Sequence, residues 1–270
     1  MIEKMGYKDP RYMVVQPSQA IRKADQHYKC EVPMDLILKR LTECQRLGRL
    51  YNPDAFYVES REMFVDWMCD LSDRLRVQPE TFHHSVNIFD AYLQRSDIKQ
   101  HLAGIKHFQG QPRPNVITLI GLTCVFISAK YLEKTYPGIN QLLNFIGIPY
   151  NYDQFVTQEA DILNTLDWRL QFVSIYDVLT HFLCQGIVFT TDKIQSADGT
   201  LGTPTAYTAG ILQHNAEVFT SKCLKKHEFL KYDQLTLVCG IVMSARKVCK
   251  FVELWPEELV AMTGNRLRYP

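Results

Sequence analysis

The sequence predicts an all-α fold, built as two successive helical units. Three observations predict it. Residues 116–134, VITLIGLTCVFISAKYLEK, are apolar on almost every helical face, the pattern of a helix with neighbours on all sides. The flanking segments carry apolar residues at helical spacing between Pro and Gly breakers, and none alternates convincingly at period two, so essentially no sheet is expected. Residues 233–251, DQLTLVCGIVMSARKVCKF, again combine an apolar body with a basic tail, as a second copy of the same unit would.

Taken in order, residues 1–30 are weakly patterned and read as a lead-in. Pro33 opens a helix to about residue 47, with Leu36, Ile37, Leu41, Cys44 and Leu47 on one stripe and Gly48 at its end. Residues 60–76 form the next helix, with Ser60 as N-cap and Met63, Phe64, Trp67, Met68, Leu71 and Leu75 buried. Pro79 starts a helix to about Leu93 that buries Phe82, Val86, Phe89 and Leu93. The loop 95–115 holds Gly104, Gly110, Pro112 and Pro114 and leads into the central helix. Pro137-Gly138 breaks that helix, and a short helix follows, ending at Gly147. Residues 152–166 place Phe155, Val156, Ile162, Leu163 and Leu166 on one side and Gln158, Glu159 and Asp161 on the other. After Asp167-Trp168, helices are expected at about 174–188, 205–222, 233–251 and 256–263, with 190–204 a Gly-containing loop.

Composition narrows the function classes. Among 270 residues, 46% are hydrophobic and 22% charged, and 30 Lys+Arg balance 29 Asp+Glu. A net charge of +1 gives no general attraction to nucleic acid or anionic lipid, so neither is an expected partner. The N-terminal residues do not read as a signal peptide, and no apolar run reaches 18 residues, so no membrane span is expected. Eight cysteines lack any C-x-x-C spacing and mostly sit among apolar residues, as reduced thiols do; the expected compartment is nucleus or cytoplasm. No P-loop, G-x-G-x-x-G, G-x-S-x-G or H-E-x-x-H occurs, so no cofactor and no catalytic activity are expected. His83 and His84 are adjacent, point about 100° apart on a helix and do not converge on a metal; they read as surface or half-buried side chains. Gly199 and Gly202 lack a strand before them and read as a turn rather than a phosphate loop.

The outward end of the central helix presents Lys130, Tyr131 and Glu133. With Glu159 and an exposed Ile127 they would make an apolar patch with opposite charges at its centre, which suits a partner helix. A solvated Lys130–Glu159 bridge of no further consequence is an equal reading of the residues alone. Arg61 and Asp90 lie where two antiparallel helices would let them form a bidentate, partly buried pair; two separate surface charges are the other reading of the residues.

The stretches SREMFVDWMCDLSDRLRVQPETFHHSVNIFDAYL, FISAKYLE, VTQEADILNTLDWRL and LWPEELVAMTG resemble a two-box cyclin, of A/B-like or J-like type, over residues 33–266. Arg61, Asp90, Leu119, Lys130 and Glu159 match the five positions that cyclin boxes typically keep. The resemblance implies an N-terminal segment 1–59 with a helix at about 33–47, a first five-helix box at 60–172 and a second, stacked box at 173–270. The second box is expected to lack its last helix. It further implies a non-enzymatic subunit that binds and activates a cyclin-dependent protein kinase through Lys130, Glu159, Ile127, Tyr131, Glu133 and Leu36. Met63, Trp67, Asp70 and Ile117 match the apolar patch on which many cyclins hold Arg-x-Leu-type substrate or inhibitor peptides. Ser60 and Thr118 depart from that patch's usual residues, Leu132 replaces an acidic one, and ordinary core packing of Met63 and Trp67 is an equal alternative. The alternative function is a cyclin-fold scaffold or transcription-factor-like adaptor that does not activate a kinase.

Overall fold

The computed structural model describes Lys39 and residues 57–95, 116–146, 150–196 and 198–263. The helix expected at 33–47 with Leu36, and nearly all of the loop 95–115, lie outside them. The described residues form α1 (Val58–Leu75), α2 (Pro79–Arg95), α3 (Val116–Leu132), α4 (Ile139–Ile146), α5 (Tyr152–Thr165), α6 (Ile175–Gln185), β1 (Ile194–Gln195), β2 (Leu201–Gly202), α7 (Ala206–Lys225), a 3₁₀ turn (His227–Lys231), α8 (Gln234–Val248) and α9 (Glu257–Thr263). They divide into two compact units. The first is the described part of Asp35–Val178 with Thr220–Val238; the second is the described part of Leu179–Phe219 and Cys239–Pro270.

The first unit is wrapped around α3. Every residue of α3 from Ile117 to Ala129 is buried, and its neighbours are chiefly α2, then α5 and α1. Of its polar side chains, Thr123 is satisfied locally: its Oγ1 donates to the Leu119 carbonyl at 2.7 Å, one turn back. Gly121 lets α1 approach closely. A Cβ there would stand 3.0 Å from Trp67 Cζ3, so the indole edge fills the space a side chain would need.

α2 is the second buried helix of this unit: Thr81 to Leu93 are all buried, including His83 and His84. This corrects the expectation of surface histidines. The apolar stripe of α2 is only part of what it buries, because α1 and α3 both pack against it. The start of α1 also differs from expectation. The helix begins at Val58 with Tyr57 as N-cap and no side-chain cap bond; Ser60 lies inside the first turn, its amide already bonded to the Tyr57 carbonyl at 3.0 Å. At the other end Arg76 adopts φ +56 and the Val77 amide reaches back to Ser72, a Schellman closure. α5 starts with a full capping box between Asn151 and Gln154. The tail of α7 is joined to α1 by Lys226–Glu62 at 2.6 Å and by a Lys225–Asp66 ion pair.

In the second unit the segment 190–204 is not a plain loop. It folds into a small antiparallel hairpin, Ile194 opposite Gly202 and Gln195 opposite Leu201, around Asp198 and Gly199. Gly199 takes φ +85, and the Asp198 carboxylate accepts from the Thr200 amide at 3.0 Å. The expectation of no sheet misses this pair because two-residue strands are too short to show alternation. β1 is held on its other side as well: Gln195 N donates to Lys250 O and Val252 N to Lys193 O, both at 2.9 Å. α8 ends in the same way as α1, with Lys250 at φ +58 and the Phe251 amide on the Arg246 carbonyl.

Candidate functional site

Arg61 opens α1 inside the core and reaches Asp90 near the end of α2. Its Nε donates to Asp90 Oδ1 at 2.8 Å and its Nη2 to Oδ2 at 2.7 Å, with both side chains fully buried. The remaining nitrogen, Nη1, donates to the Leu224 and Lys225 carbonyls, each at 2.8 Å. The pair thus fixes α1 against α2 and caps the C-terminal end of α7. Tyr92 hydroxyl donates to Asp161 and accepts from Gln158 Nε2 at 3.1 Å, which anchors α5 to α2. Leu119 is buried in α3. α3 packs against both α2 and α5, so the Tyr92 contacts fix α5 beside it.

Where the two helices emerge, they form a cleft of about 340 Å³. α3 supplies Ile127, Lys130 and Tyr131, α5 supplies Glu159 and Leu163, and the turn after α5 supplies Trp168, Leu170 and Gln171. Lys130 Nζ donates to Glu159 Oε1 at 2.7 Å; the side chains are 40% and 12% exposed. The ammonium also sits 5.3 Å from the Phe126 ring centre. A cation and an anion therefore stand together at the mouth of an apolar-floored cleft. The floor corrects one expectation: Ile127 is only 3% exposed, because α3 stays enclosed to Ala129 and Ile127 contributes its side chain from below. Val156 departs from expectation in the opposite sense. It is 37% exposed, since it lies one turn before Glu159 and shares its face rather than that of Phe155.

Trp168 is the residue that reasoning from the sequence missed. Asp167 and Trp168 both adopt left-handed backbone, φ +52 and +58, so the chain reverses at the end of α5. Such residues cost roughly 1–3 kcal/mol each and persist only where their surroundings hold them. The Trp168 amide is held by the Leu163 carbonyl at 2.9 Å, and its indole is left 67% exposed at the cleft edge. The turn thus leaves a large apolar ring outward at the cleft edge, with its indole Nε1 donating to Asn164 Oδ1 at 3.3 Å. Its only signal in the sequence was an aromatic side chain just past an amphipathic helix.

Tyr131 stays at the cleft with Ile127, Lys130 and Glu159, and the other expected site residues that are described lie away from it. Tyr131 is exposed and stacks on His84 at 5.4 Å with the rings 12° apart. Glu133 is turned away from the cleft: Oε1 accepts from the Gln78 amide and the Thr81 hydroxyl, both at 2.7 Å, and so caps the start of α2. Leu36 lies outside the described residues. On the α1 side, Met63 and Trp67 are half-buried, Asp70 is exposed and Ile117 is buried.

Among the described residues, the cleft brings together no nucleophile, base and orienting carboxylate. The Ser128 hydroxyl lies 2.9 Å from His84 Nδ1, but His84 Nε2 faces the Leu170 carbonyl rather than a carboxylate, and Ser128 is fully buried. Burial lowers the proton affinity of His84, against the Leu170 carbonyl and Asp177, which raise it; burial pushes His83 down to about 3. Among the described residues, no group of three His, Cys, Asp or Glu side chains is placed to hold a metal ion, and no helix is long and apolar enough to cross a membrane.

Residues 39–171 match the family model described as "Cyclin, N-terminal domain". The chain is 25% identical over 206 residues to Cyclin-B1-1 of Arabidopsis thaliana, covering 76% of this chain and 40% of that protein. It is 24% identical over 128 residues to G2/mitotic-specific cyclin-4 of Saccharomyces cerevisiae, covering 44% of this chain and 25% of that protein. The chain thus spans well under half the length of these curated relatives. In fold it is similar to a viral cyclin from Herpesvirus saimiri, with a TM-score of 0.58 and 18% identity over 85% of this chain and 90% of that one. The family-model match and the A- and B-type relatives support a cyclin family member, and the viral cyclin shares its all-α fold.

Proposed function

We propose that this protein is a non-catalytic regulatory subunit that binds a cyclin-dependent protein kinase in cell-cycle control and holds it in its active state. The observation that carries this reading is the cleft whose mouth sets Lys130 and Glu159 together above Ile127 and between Tyr131 and Trp168. A helix laid into it would bury its apolar face on Ile127, Leu163 and the two exposed rings. The ion pair would fix its register through groups of both signs. Aromatic anchors of this kind carry most of the energy of a helix-in-groove contact.

The mechanism is a population shift. A protein kinase is active only when its αC helix brings a Glu to the catalytic Lys and its activation loop is ordered. A subunit that accepts αC only in the inward position stabilises that state by its differential affinity alone. Moving a kinase from 1:99 to 99:1 in favour of the active state needs about 10⁴-fold discrimination, or ~5.5 kcal/mol. That is within reach of two aromatic anchors and a desolvated charge contact, and it requires no chemistry from this chain.

The test is affinity capture of the intact protein from its own cells, with the captured kinase assayed for phosphotransfer. Co-purification of a cyclin-dependent kinase more active than its free form supports the reading. A kinase captured without gain in activity makes the protein an adaptor, and absence of any such kinase overturns the proposal.

A further inference from the structure

One imidazole touches both of the elements that flank the cleft. His84, in the middle of α2, reaches α3 through Nδ1, 2.9 Å from Ser128 Oγ, and reaches the turn after α5 through Nε2, 2.7 Å from the Leu170 carbonyl. One face of the ring lies flat against Tyr131, and its edge meets Phe172 at 6.0 Å and 65°. The bonding pattern fixes the tautomer. A carbonyl only accepts, so Nε2 carries the hydrogen and donates to Leu170; the neutral ring has no second N–H, so Nδ1 accepts from the Ser128 hydroxyl. The Leu170 carbonyl also accepts from the Phe172 amide at 2.9 Å, so two donors pin it. It belongs to the turn that opens with left-handed Asp167 and Trp168, a conformation that needs an external hold.

We propose that His84 is a positioning residue: its Nε2–H bond to Leu170 sets the 167–172 turn, and with it Trp168, at the separation from Tyr131 that the partner helix requires. The partner half rests on the function proposed above; the geometric half does not. The neutral imidazole meets three demands at once: a donor toward Leu170, an acceptor toward Ser128 and a flat face toward Tyr131. The two bonds can be separated chemically. A glutamine amide nitrogen reaches the place of Nε2, whereas an asparagine amide reaches only the place of Nδ1.

The experiment uses the full chain labelled with 5-fluorotryptophan and read by ¹⁹F NMR, the Trp168 line being assigned with W168F. His84→Asn and His84→Leu are expected to shift or broaden the Trp168 line. His84→Gln and Ser128→Ala, which keep a donor on Leu170, are expected to leave it in place. In parallel, the Asn and Leu variants should bind the kinase about tenfold more weakly per folded molecule, and the Gln variant within about threefold of wild type. A residue that only stabilises the fold would lower the melting temperature and leave both readouts alone. An unmoved Trp168 line in His84→Asn and His84→Leu overturns the proposal, as does equal movement in His84→Gln. Should the Asn and Leu variants fail to fold, movement of the line in Ser128→Ala or His84→Gln overturns it and its absence upholds it. A line that behaves as expected in a chain that binds no kinase upholds the positioning role and overturns the proposed function instead.

Discussion

Among the described residues two guanidinium groups are completely buried, one in each unit, and they do the same work between different kinds of structure. Arg61 joins helix to helix. It pairs with Asp90 and donates to two carbonyls at the end of α7. Arg246 joins a helix to loops. It pairs with both oxygens of Asp192 and donates to Ile187 O at 2.8 Å and to Glu253 O from Nε and from Nη2, which occupies all five of its N–H groups. The Phe251 ring covers it at 4.3 Å. Asp192 in turn accepts from the Phe189 amide at 2.8 Å. A buried ion pair gains little net stability over an apolar replacement, but removing one partner leaves a charge that neither water nor protein solvates. The difference between the sites lies in how much remains when the carboxylate goes.

The largest expected effect is therefore Asp90→Ala. Arg61 keeps two carbonyls and no counter-charge, and loss of the pair should cost ~3–5 kcal/mol. The reading is the urea midpoint at unchanged m, together with the melting temperature; wild-type values would show that the pair does not hold α1 to α2. Asp192→Ala should cost less, about 1–3 kcal/mol, because Arg246 retains three hydrogen bonds and the Phe251 face. Its signature is local: faster amide exchange at 187–195 and 246–253, with α1 and α2 unchanged. Equal losses in the two variants would mean that the extra carbonyls contribute nothing, and the comparison would fail.

The two sites also differ in how far they could be read from the sequence. Arg61 and Asp90 sit in amphipathic helices with apolar flanks, so helical geometry alone brings them together, and the resemblance to cyclins singles them out. Arg246 looked like part of a basic helix tail, and Asp192 lay in a segment read as a flexible loop. Nothing local brings Asp192 to a guanidinium 54 residues further along the chain, and strands of two residues leave no alternation by which to read the hairpin beside it. The cleft divides along the same line. Lys130, Glu159 and Tyr131 follow from helix ends and polar faces. Ile127 was assigned to the surface because periodicity cannot say at which residue a buried helix emerges. Trp168 and His84 depend on a left-handed turn and on a donor–acceptor chain across three elements, neither of which leaves a periodic trace.

Acid sharpens the comparison between the units. His83, His84 and His227 in the first unit and His181 in the second all have their proton affinity lowered by burial. In the unfolded chain each titrates near 6.5. Below that pH the unfolded state takes up protons that the folded state refuses, so stability falls as pH drops from 6.5 toward the folded values, about 3 for His83. Above 6.5 these groups add no pH dependence. With three such histidines against one among the described residues, the first unit should open first on acidification. Amide exchange at pH 7 and pH 5 would read this; equal acceleration in both units would remove histidine as the cause.

The smallest expected effect on stability is at Lys130, and it is the one that separates a structural ion pair from one that serves a partner. The Lys130–Glu159 bond is as short as the Arg61–Asp90 contact, 2.7 Å in each case, but the lysine is 40% exposed and the arginine fully buried. Water can solvate either partner once the other is gone, so the pair should be worth ~0–1 kcal/mol. Lys130→Glu places two carboxylates together at the cleft mouth, where both can turn into solvent, and the melting temperature should move by no more than a few degrees. Binding should behave in the opposite way. A partner helix laid over the cleft strips that water, and the reversed charge then faces Glu159 and the partner's own anion without relief, a loss of about 2–5 kcal/mol in affinity. Surface-immobilised kinase titrated with wild type and variant would measure it, with circular dichroism run on the same samples. Unchanged affinity would mean that the mouth of the cleft lies off the interface. A melting temperature falling as far as that of Asp90→Ala would mean that the pair is structural after all, and that exposure is a poor guide to what a salt bridge is for.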